Sequence, residues 1–262
     1  MPVQNRLIVT ERVEHGVAKL VLNNPPLNLV TLELTEQLMG ALDELDTDES
    51  VRAVVITGAG DEAFCAGSDV KEFPAVRDRV VEKKLARENQ AFSSIESLSE
   101  PVIAAIEGLA YGGGCEISMA CDLRIVAESA RIALPEVKLG VVPGSGGLFR
   151  LPRLVGPGRA MELMYLGEPI RAREAERLGL VNKVVPDGEA LPYALDVARK
   201  IAQQPKEAVA AIKRGVRESA WLTHEEAVRL TLELSDHVFR TDDCAEGVRA
   251  FLEKREPRFK GA

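Results

Sequence analysis

The chain has 262 residues, of which 46% are hydrophobic and 28% are charged, and its formal net charge is -8. This length and composition can bury a sizeable core and are typical of a soluble globular protein, with one large domain or with a domain and an appendage. The negative charge argues against general affinity for nucleic acid or for anionic membranes, so a polyanionic ligand would need locally grouped Lys and Arg side chains.

The sequence shows no pattern for membrane insertion, secretion or metal binding. No apolar run approaches the roughly 20 residues needed to cross a bilayer, and the amino-terminal segment lacks a signal-peptide pattern. We therefore expect a cytoplasmic location. The four cysteines lack the paired spacing of a zinc site, and with three histidines we find no His-based nucleophilic triad. We predict structural thiols at Cys65, Cys115, Cys121 and Cys244. The histidines His15, His224 and His237 lie in polar or helical surroundings.

The first part of the chain predicts alternating strands and helices. Two strand-like segments, LIVTERV and VAKLVLN, flank a turn at His15-Gly16, and Asn24-Pro25-Pro26 ends the second. Thr31 is a suitable N-cap for a helix with one apolar face. Leucines recur on that face at spacings of four, four and three: Leu34, Leu38, Leu42 and Leu45. A β-branched strand follows at Arg52–Thr57, and such alternation usually gives parallel strands joined by crossovers.

A glycine-rich turn stands at the centre of the sequence. The segment EGLAYGGGCEISMACD, residues Glu107–Asp122, follows an apolar strand that begins at Pro101, so the predicted order is strand, turn and helix. Glycines at Gly112–Gly114 let a ligand approach the backbone N–H groups, and a helix amino terminus suits an anionic oxygen. A phosphate cradle is not supported, because neither a following Lys-Ser/Thr pair nor the G-x-G-x-x-G spacing is present. Glu116 is the acid just inside this helix.

A second small-residue turn precedes this one. In AFCAGSDVKEF, Ser68 or Asp69 can cap a helix-prone stretch that runs from Val70 to roughly Ser99. Taken alone, this is an ordinary capped loop. Two such turns with free backbone N–H groups, together with an acid in the second helix, indicate a functional site.

A candidate acid and another glycine-rich turn follow Asp122. A strand pair, or a strand with a turn at Glu128-Ser129, leads to Pro135-Glu136, where proline fixes the direction of the turn. A turn acid is usually a cap or a surface charge, so Glu136 is a weak candidate by itself. Glycines in Pro143–Gly147 then precede a helical leucine pattern that we expect Pro152 to interrupt.

The last quarter of the chain predicts helices. After a strand end and turn at Val184–Gly188, the pattern is helical from Leu191, with a new helix starting at Pro205. These helices carry apolar stripes with no obvious core of their own.

The ordered motifs AFCAGSD, EGLAYGGGCEISMACD, ALPEVKLGVVPGSGG and RLPRLVG resemble those of the crotonase superfamily, the enoyl-CoA hydratase/isomerase family, over nearly the whole chain. The resemblance implies an α/β fold, a crotonase-like spiral of ββα units over residues 1–190 with the acyl-CoA site. It implies a C-terminal helical oligomerisation region over residues 191–262, in a homotrimer or a dimer of trimers. Members of the superfamily catalyse several different reactions on this scaffold, so the resemblance is less specific for the reaction than for the superfamily.

The resemblance also implies roles for individual residues. The N–H groups of Ser68 and Gly113 would form an oxyanion hole for the thioester oxygen, and Glu116 and Glu136 would hold the water of a hydratase. Coenzyme A would be part of the substrate, with no further cofactor and no metal. Substrate contacts are expected at Ala66, Gly67, Asp69, Lys71, Gly112, Gly144 and Lys260. The two lysines could equally be solvated helix ends.

Two departures from the family pattern bear on the prediction. Leu148-Phe149 stands where many relatives have Thr-Gln, which affects the acyl pocket or a subunit contact, and Ser68 stands where Ala is frequent. We predict a 2-enoyl-CoA hydratase; the alternatives are an enoyl-CoA isomerase, another crotonase-type lyase, or a non-catalytic RNA-binding relative. The net charge and the retention of both glutamates disfavour the last.

Overall fold

The computed structural model describes residues 6–261 and contains two β-sheets surrounded by helices. The strands in this part of the chain are β1 Ile8–Val13, β2 Val17–Leu22, β3 Ala53–Gly58, β4 Ala63–Cys65, β5 Val102–Ile106, β6 Leu109–Tyr111, β7 Leu123–Ala127, β8 Arg131–Ala133, β9 Ile170–Arg171 and β10 Lys183–Val185. The α-helices are α1 Leu32–Asp46, α2 Phe73–Val76, α3 Ala86–Ser97, α4 Gly113–Ala120, α5 Gly147–Val155, α6 Pro157–Leu166, α7 Ala172–Arg177, α8 Ala190–Ala202, α9 Lys206–Ser219, α10 His224–Phe239 and α11 Asp242–Glu253.

Three successive ββα units form the spiral. The larger sheet has the strand order β1-β2-β3-β5-β7-β10, and the smaller one β4-β6-β8-β9. In the units that start at β3, β5 and β7, the first strand joins the larger sheet and the second joins the smaller one, before the chain enters a helical segment. Neighbouring strands of successive units pair in parallel, as alternating strands and helices predict. The predicted α/β fold is confirmed.

The central strands of the larger sheet, β3, β5 and β7, are buried on both faces, as expected for parallel strands between helices. Along β3, Val54 and Ile56 pack into the cluster that contains the leucines of α1, whereas Ala53 and Val55 pack into a second cluster with the alanines of α8. α8 therefore packs on the spiral. The division of the chain into residues 1–190 and 191–262 stays a prediction, and its outer ends, residues 1–5 and 262, lie outside the described residues.

Several local predictions are confirmed. β1 and β2 form an antiparallel hairpin, with His15 and Gly16 at positive φ values of 64° and 74°. The hydroxyl of Thr31 accepts a hydrogen bond of 3.0 Å from Leu34 N and so caps α1. The four spaced leucines of α1 are all buried.

The helix-prone stretch after Val70 is helical, with Asp69 as its N-cap, but it is divided: 3₁₀ turns flank α2, and a π-helical turn at Val81–Leu85 precedes α3. Two predictions of local structure are wrong. The Gly112–Gly114 turn does not follow the apolar strand directly, because β6 intervenes and pairs with β4 and β8. α5 continues through Pro152, since Leu151 is buried in the core and Gly156 N–H donates to the proline carbonyl at 2.9 Å.

Helices α9 to α11 leave large apolar side chains exposed. Within residues 6–261, every helix is too short or too polar to cross a bilayer. The exposed apolar side chains on these three helices include Ile212, Val216, Leu232, Phe239, Phe251 and Leu252.

Candidate active site

The two predicted turns lie against each other at the carboxyl ends of their strands. A β-carbon added to Gly67 would lie 3.6 Å from Gly113 N, and one added to Gly113 would lie 3.7 Å from Ser68 N. Val30 fixes the first turn, because its N–H donates to Gly67 O at 2.9 Å and its carbonyl accepts from Asp69 N at 3.0 Å. These two hydrogen bonds are made by Gly67 and Asp69, the residues on either side of Ser68, and they fix the backbone of Ser68 between them.

The backbone donors of the two turns are free to bind a ligand. Across residues 6–261, neither Ser68 N–H nor Gly113 N–H donates to a protein acceptor. Gly113 begins α4, whose amino-terminal end favours negative charge. Gly112 precedes it at φ 49° and ψ -121°, a backbone conformation that favours glycine. Two free donors at this position suit an oxygen that gains negative charge.

Glu116 is buried in the first turn of α4, with 3% of its surface exposed. Its Oε1 accepts hydrogen bonds from Ser145 N at 2.9 Å and from Gly147 N at 2.8 Å. These two bonds favour the charged carboxylate, but burial outweighs them and raises the pKa of Glu116 to about 8. The glycine-rich turn before α5 therefore holds this carboxyl group in place.

Glu136 begins the 3₁₀ turn Glu136–Leu139 and points toward the glycine turn. Its Oε1 lies 3.0 Å from the position that a β-carbon on Gly112 would occupy. Its Oε2 is buried and has no hydrogen-bond partner among the described residues. Burial raises the pKa of Glu136 to about 7. An unpartnered buried oxygen beside free donors marks a place for a polar ligand.

The two carboxyl groups can move protons near neutral pH. Burial raises the pKa of both groups, and the charge of Glu136 raises the pKa of Glu116 further. A pair in which one carboxyl group is protonated and the other is charged can both donate and accept a proton. Together with the two N–H donors, this arrangement can polarise a carbonyl and act as acid and base beside it.

Six of the predicted substrate contacts lie in or next to the three small-residue turns of the site. Ala66 and Gly67 belong to the first turn and Gly112 to the second. Asp69 caps the next 3₁₀ turn by accepting from Lys71 N at 3.0 Å, and the Lys71 side chain is exposed beside it. The carbonyl of Gly144 accepts from Asn89 Nδ2 at 2.8 Å.

Lys260 is not near the turns of its own chain. Its N–H donates to Asp243 Oδ1 at 2.7 Å, and the next residue, Gly261, packs against the guanidinium of Arg52. Because Arg52 precedes β3, Lys260 lies at the amino-terminal edge of the parallel strands, opposite the glycine turns.

Sequence reasoning missed a buried polar group beside the site. Lys84 and Glu88 are 1% and 2% exposed, and Glu88 contacts the hydroxyl groups of Ser68 and Ser145. Both lie in a polar, helix-prone stretch whose sequence is typical of a solvent-exposed surface. Their i, i+4 spacing was the available signal, and it indicates only that the two side chains are neighbours.

The other singled-out residues are distinct from the two carboxyl groups and the two backbone donors. Phe149 is 40% exposed, with the guanidinium groups of Arg150 and Arg153 over its ring. Cys65, Cys115 and Cys121 are buried and Cys244 is partly buried. In the described part of the chain, no group of three or more His, Cys, Asp or Glu side chains could hold a metal ion.

Comparisons with known proteins agree with the fold and the motifs. Residues 12–262 match the family described as enoyl-CoA hydratase/isomerase. A probable enoyl-CoA hydratase of Bacillus subtilis is 41% identical over 95% of this chain and 97% of its own. The crotonyl-CoA hydratase of Syntrophomonas wolfei is 39% identical over 96% and 97%. The crystal structure of an enoyl-CoA hydratase from Bacillus anthracis superposes with a TM-score of 0.94 at 39% identity, covering 98% of this chain and all of the other.

Proposed function

The chain belongs to the enoyl-CoA hydratase/isomerase family, and on this premise we propose that it adds water to 2-enoyl-CoA thioesters to give 3-hydroxyacyl-CoA. The observation that carries the proposal is the pair of carboxyl groups, Glu116 and Glu136, with raised pKa values beside two free backbone donors. Addition of water requires an acid and a base around one oxygen, and this pair can supply both.

The backbone donors stabilise the charge that develops on the substrate. When the thioester oxygen accepts hydrogen bonds from Ser68 N–H and Gly113 N–H, electron density moves from the double bond toward that oxygen. Addition of water at C3 then produces an enolate, whose charge rests on the same oxygen. Such donors are worth a few kcal/mol each because they are already oriented before the reaction.

The two glutamates handle the protons. Water held between Glu116 and Glu136 loses one proton to the charged carboxylate while its oxygen forms the bond to C3. The protonated carboxyl group gives its proton to C2, which converts the enolate into the neutral thioester product. The water is thereby consumed, and the pair ends with one proton, as it began.

Coenzyme A enters as part of the substrate, and no further cofactor or metal is needed for this chemistry. We propose substrate contacts at the two turns and beside them: Ala66, Gly67, Asp69, Lys71, Gly112 and Gly144. Lys260 lies at the opposite edge of its own sheet, so it would contact coenzyme A only in the site of another copy of the chain. We expect no nucleic acid among the partners, because the net charge is -8.

Oligomerisation and location are part of the same proposal. The apolar side chains exposed on α9 to α11 support a homotrimer or a dimer of trimers, since burying them stabilises an assembly. Light scattering on the intact protein tests this, and a monomer at micromolar concentration would contradict it. We also propose a cytoplasmic location.

The function is tested with crotonyl-CoA in isotopically labelled water. A hydratase gives 3-hydroxybutyryl-CoA with the label on the C3 oxygen. Conversion of 3-enoyl-CoA to 2-enoyl-CoA without a labelled alcohol would replace hydratase by isomerase, which moves one proton and needs only one carboxyl group. Salt-sensitive RNA binding without turnover would instead support a non-catalytic relative. A panel of chain lengths then defines the acyl group.

A further inference from the structure

A buried ion pair lies behind the two turns of the active site. Lys84 is in the π-helical turn Val81–Leu85 and Glu88 is in α3, and their side chains meet at 3.1 Å. Glu72 pairs with the other side of Lys84 at 2.8 Å and is more exposed, at 24% of its side chain. Burying charged groups is costly unless they are paired and hydrogen-bonded, so their role in this position requires an explanation.

One side of the ion pair contacts the first turn, Ala66–Asp69, which we call the oxyanion turn because Ser68 N–H belongs to it. Ser68 Oγ donates to Glu88 Oε1 at 3.3 Å, and Lys84 Nζ donates to Val30 O at 3.4 Å. That same carbonyl of Val30 also accepts from Asp69 N at 3.0 Å. The pair thus contacts the first turn through a side chain and through the backbone that supports it.

The other side of the pair holds the loop that binds Glu116. Ser145 Oγ donates to Glu88 Oε2 at 2.5 Å, while the backbone N–H of the same residue donates to Glu116 Oε1 at 2.9 Å. A single residue therefore connects the two carboxyl groups, and a displacement of Glu88 would be transmitted to Glu116 over two short hydrogen bonds.

We propose that Glu88, neutralised by Lys84, is a positioning residue that joins the oxyanion turn to the loop holding Glu116 and sets the electrostatic environment of that catalytic carboxyl group. The inference rests on the proposed function, because it assigns the pair a role in the same reaction. It follows from geometry: Glu88 contacts Ser68 of the first turn and Ser145 of the loop that holds Glu116, and Glu88 is itself shielded from water.

The charge of Glu88 gives the proposal a measurable consequence. Burial is the main cause of the raised pKa of Glu116, and the charges of Glu136 and Glu88 raise it further. Removing Glu88 should lower that pKa. Removing Lys84 should raise it, because the hydroxyl groups of Ser68 and Ser145 still donate to Glu88 and favour its charged form when the counterion is lost. The other charged groups on the elements packed around α4 are unchanged in both cases; they include Arg124, Glu136 and Arg150.

The test compares pH profiles of kcat/KM for crotonyl-CoA hydration in the intact protein and in Glu88→Gln, Lys84→Met and the double variant. We expect Glu88→Gln to move the profile to lower pH by about 0.5 unit and Lys84→Met to move it to higher pH by a similar amount. The double variant replaces a charged pair by a neutral one, so its profile should return toward that of the unaltered protein. In Glu88→Gln, kcat should fall about tenfold with a smaller change in KM, because the variant disturbs the reacting groups more than binding.

Matched controls are available on the same segment. Glu82 is exposed, and Lys83 is partly exposed with 39% of its side chain accessible, so Lys83→Met and Glu82→Gln change the same charges near the surface and should leave the profile unchanged. Thermal unfolding of every variant separates loss of folded protein from loss of rate.

The outcomes distinguish this inference from the proposed function. If the unaltered protein does not hydrate crotonyl-CoA or any other enoyl-CoA, the proposed function fails. If it does, but Glu88→Gln and Lys84→Met only lower the melting temperature and leave the profile in place, the pair is merely structural and the positioning role is wrong. A shift of the profile to higher pH in Glu88→Gln would also overturn it.

Discussion

The proposed site combines two parts of the molecule that would act by different means. The donor half consists of the N–H groups of Ser68 and Gly113, which belong to the backbone and are held by hydrogen bonds of neighbouring residues. The carboxyl half consists of Glu116 and Glu136, whose reactivity depends on burial and on each other. The donor half should tolerate a change of side chain, whereas the carboxyl half should not.

The difference arises because a backbone N–H has one protonation state and a carboxyl group has two. The donor half needs only correct geometry, which the β-bridge between Val30 and Ser68 and the start of α4 supply. The carboxyl half also needs one of its two members protonated and the other charged near neutral pH. Exposure of both groups to bulk solvent would abolish this condition, because their pKa values would fall.

The largest expected effect is on the carboxyl half. Glu116→Gln and Glu136→Gln should each reduce kcat for crotonyl-CoA hydration by about 10³-fold or more, because each removes a group that transfers a proton. The double variant should lose little more than the worse single variant, as expected for groups acting as a unit. Steady-state kinetics on proteins shown to be folded by circular dichroism measures this. Near-normal turnover after loss of either glutamate would remove that residue from the mechanism.

The next effect concerns the donor half. Gly113→Pro removes the donor and should lower kcat by about 10² to 10³-fold for every acyl-CoA. Gly113→Ala is the matched control: it keeps the N–H, and its β-carbon would meet Val30 and Ser68 at 3.5 Å and 3.7 Å, which is ordinary contact. It should therefore fold and be more active than the proline variant. Equal activity in the two variants would show that this N–H does not bind the reacting oxygen.

A third prediction compares the pH dependence of folding. The pKa of Glu116 rises from 4.5 to about 8 on folding, so its contribution to stability is present below pH 4.5 and is lost as pH rises toward 8. Relative to Glu116→Gln, the unaltered protein should lose up to about 1.4 kcal/mol of unfolding free energy per pH unit in that range. Urea denaturation at several pH values measures it. Parallel stability curves for the two proteins would mean that the carboxyl group is charged throughout.

The smallest expected effect is that of Ser68→Ala. The variant keeps the backbone N–H and loses one hydrogen bond of 3.3 Å to Glu88, while Ser145 and Lys84 still hold that carboxyl group. Turnover should fall only about twofold to fivefold, the value of one modest hydrogen bond. A loss as large as that of Gly113→Pro would show that the hydroxyl group takes part in the reaction, and the contrast between the two halves would then fail.

Several features were determined by the sequence alone. Local signals sufficed where neighbours along the chain make the structure: the His15-Gly16 hairpin, the Thr31 cap, the leucine face of α1, and the turn that places Glu116 in the first turn of α4. The order of strands and helices also predicted parallel pairing, and the ordered motifs indicated the family to which the chain belongs.

Other features were decided only by the tertiary structure. The three-residue strand β6 is too short to show a period and forms because β4 and β8 supply partners from distant parts of the chain. Lys84 and Glu88 have the sequence pattern of a solvated helix, yet the turns at Ser68 and Ser145 enclose them. The raised pKa values of Glu116 and Glu136 likewise follow from burial. Desolvation depends on every element packed around a group, and a pattern of neighbouring residues does not contain that information.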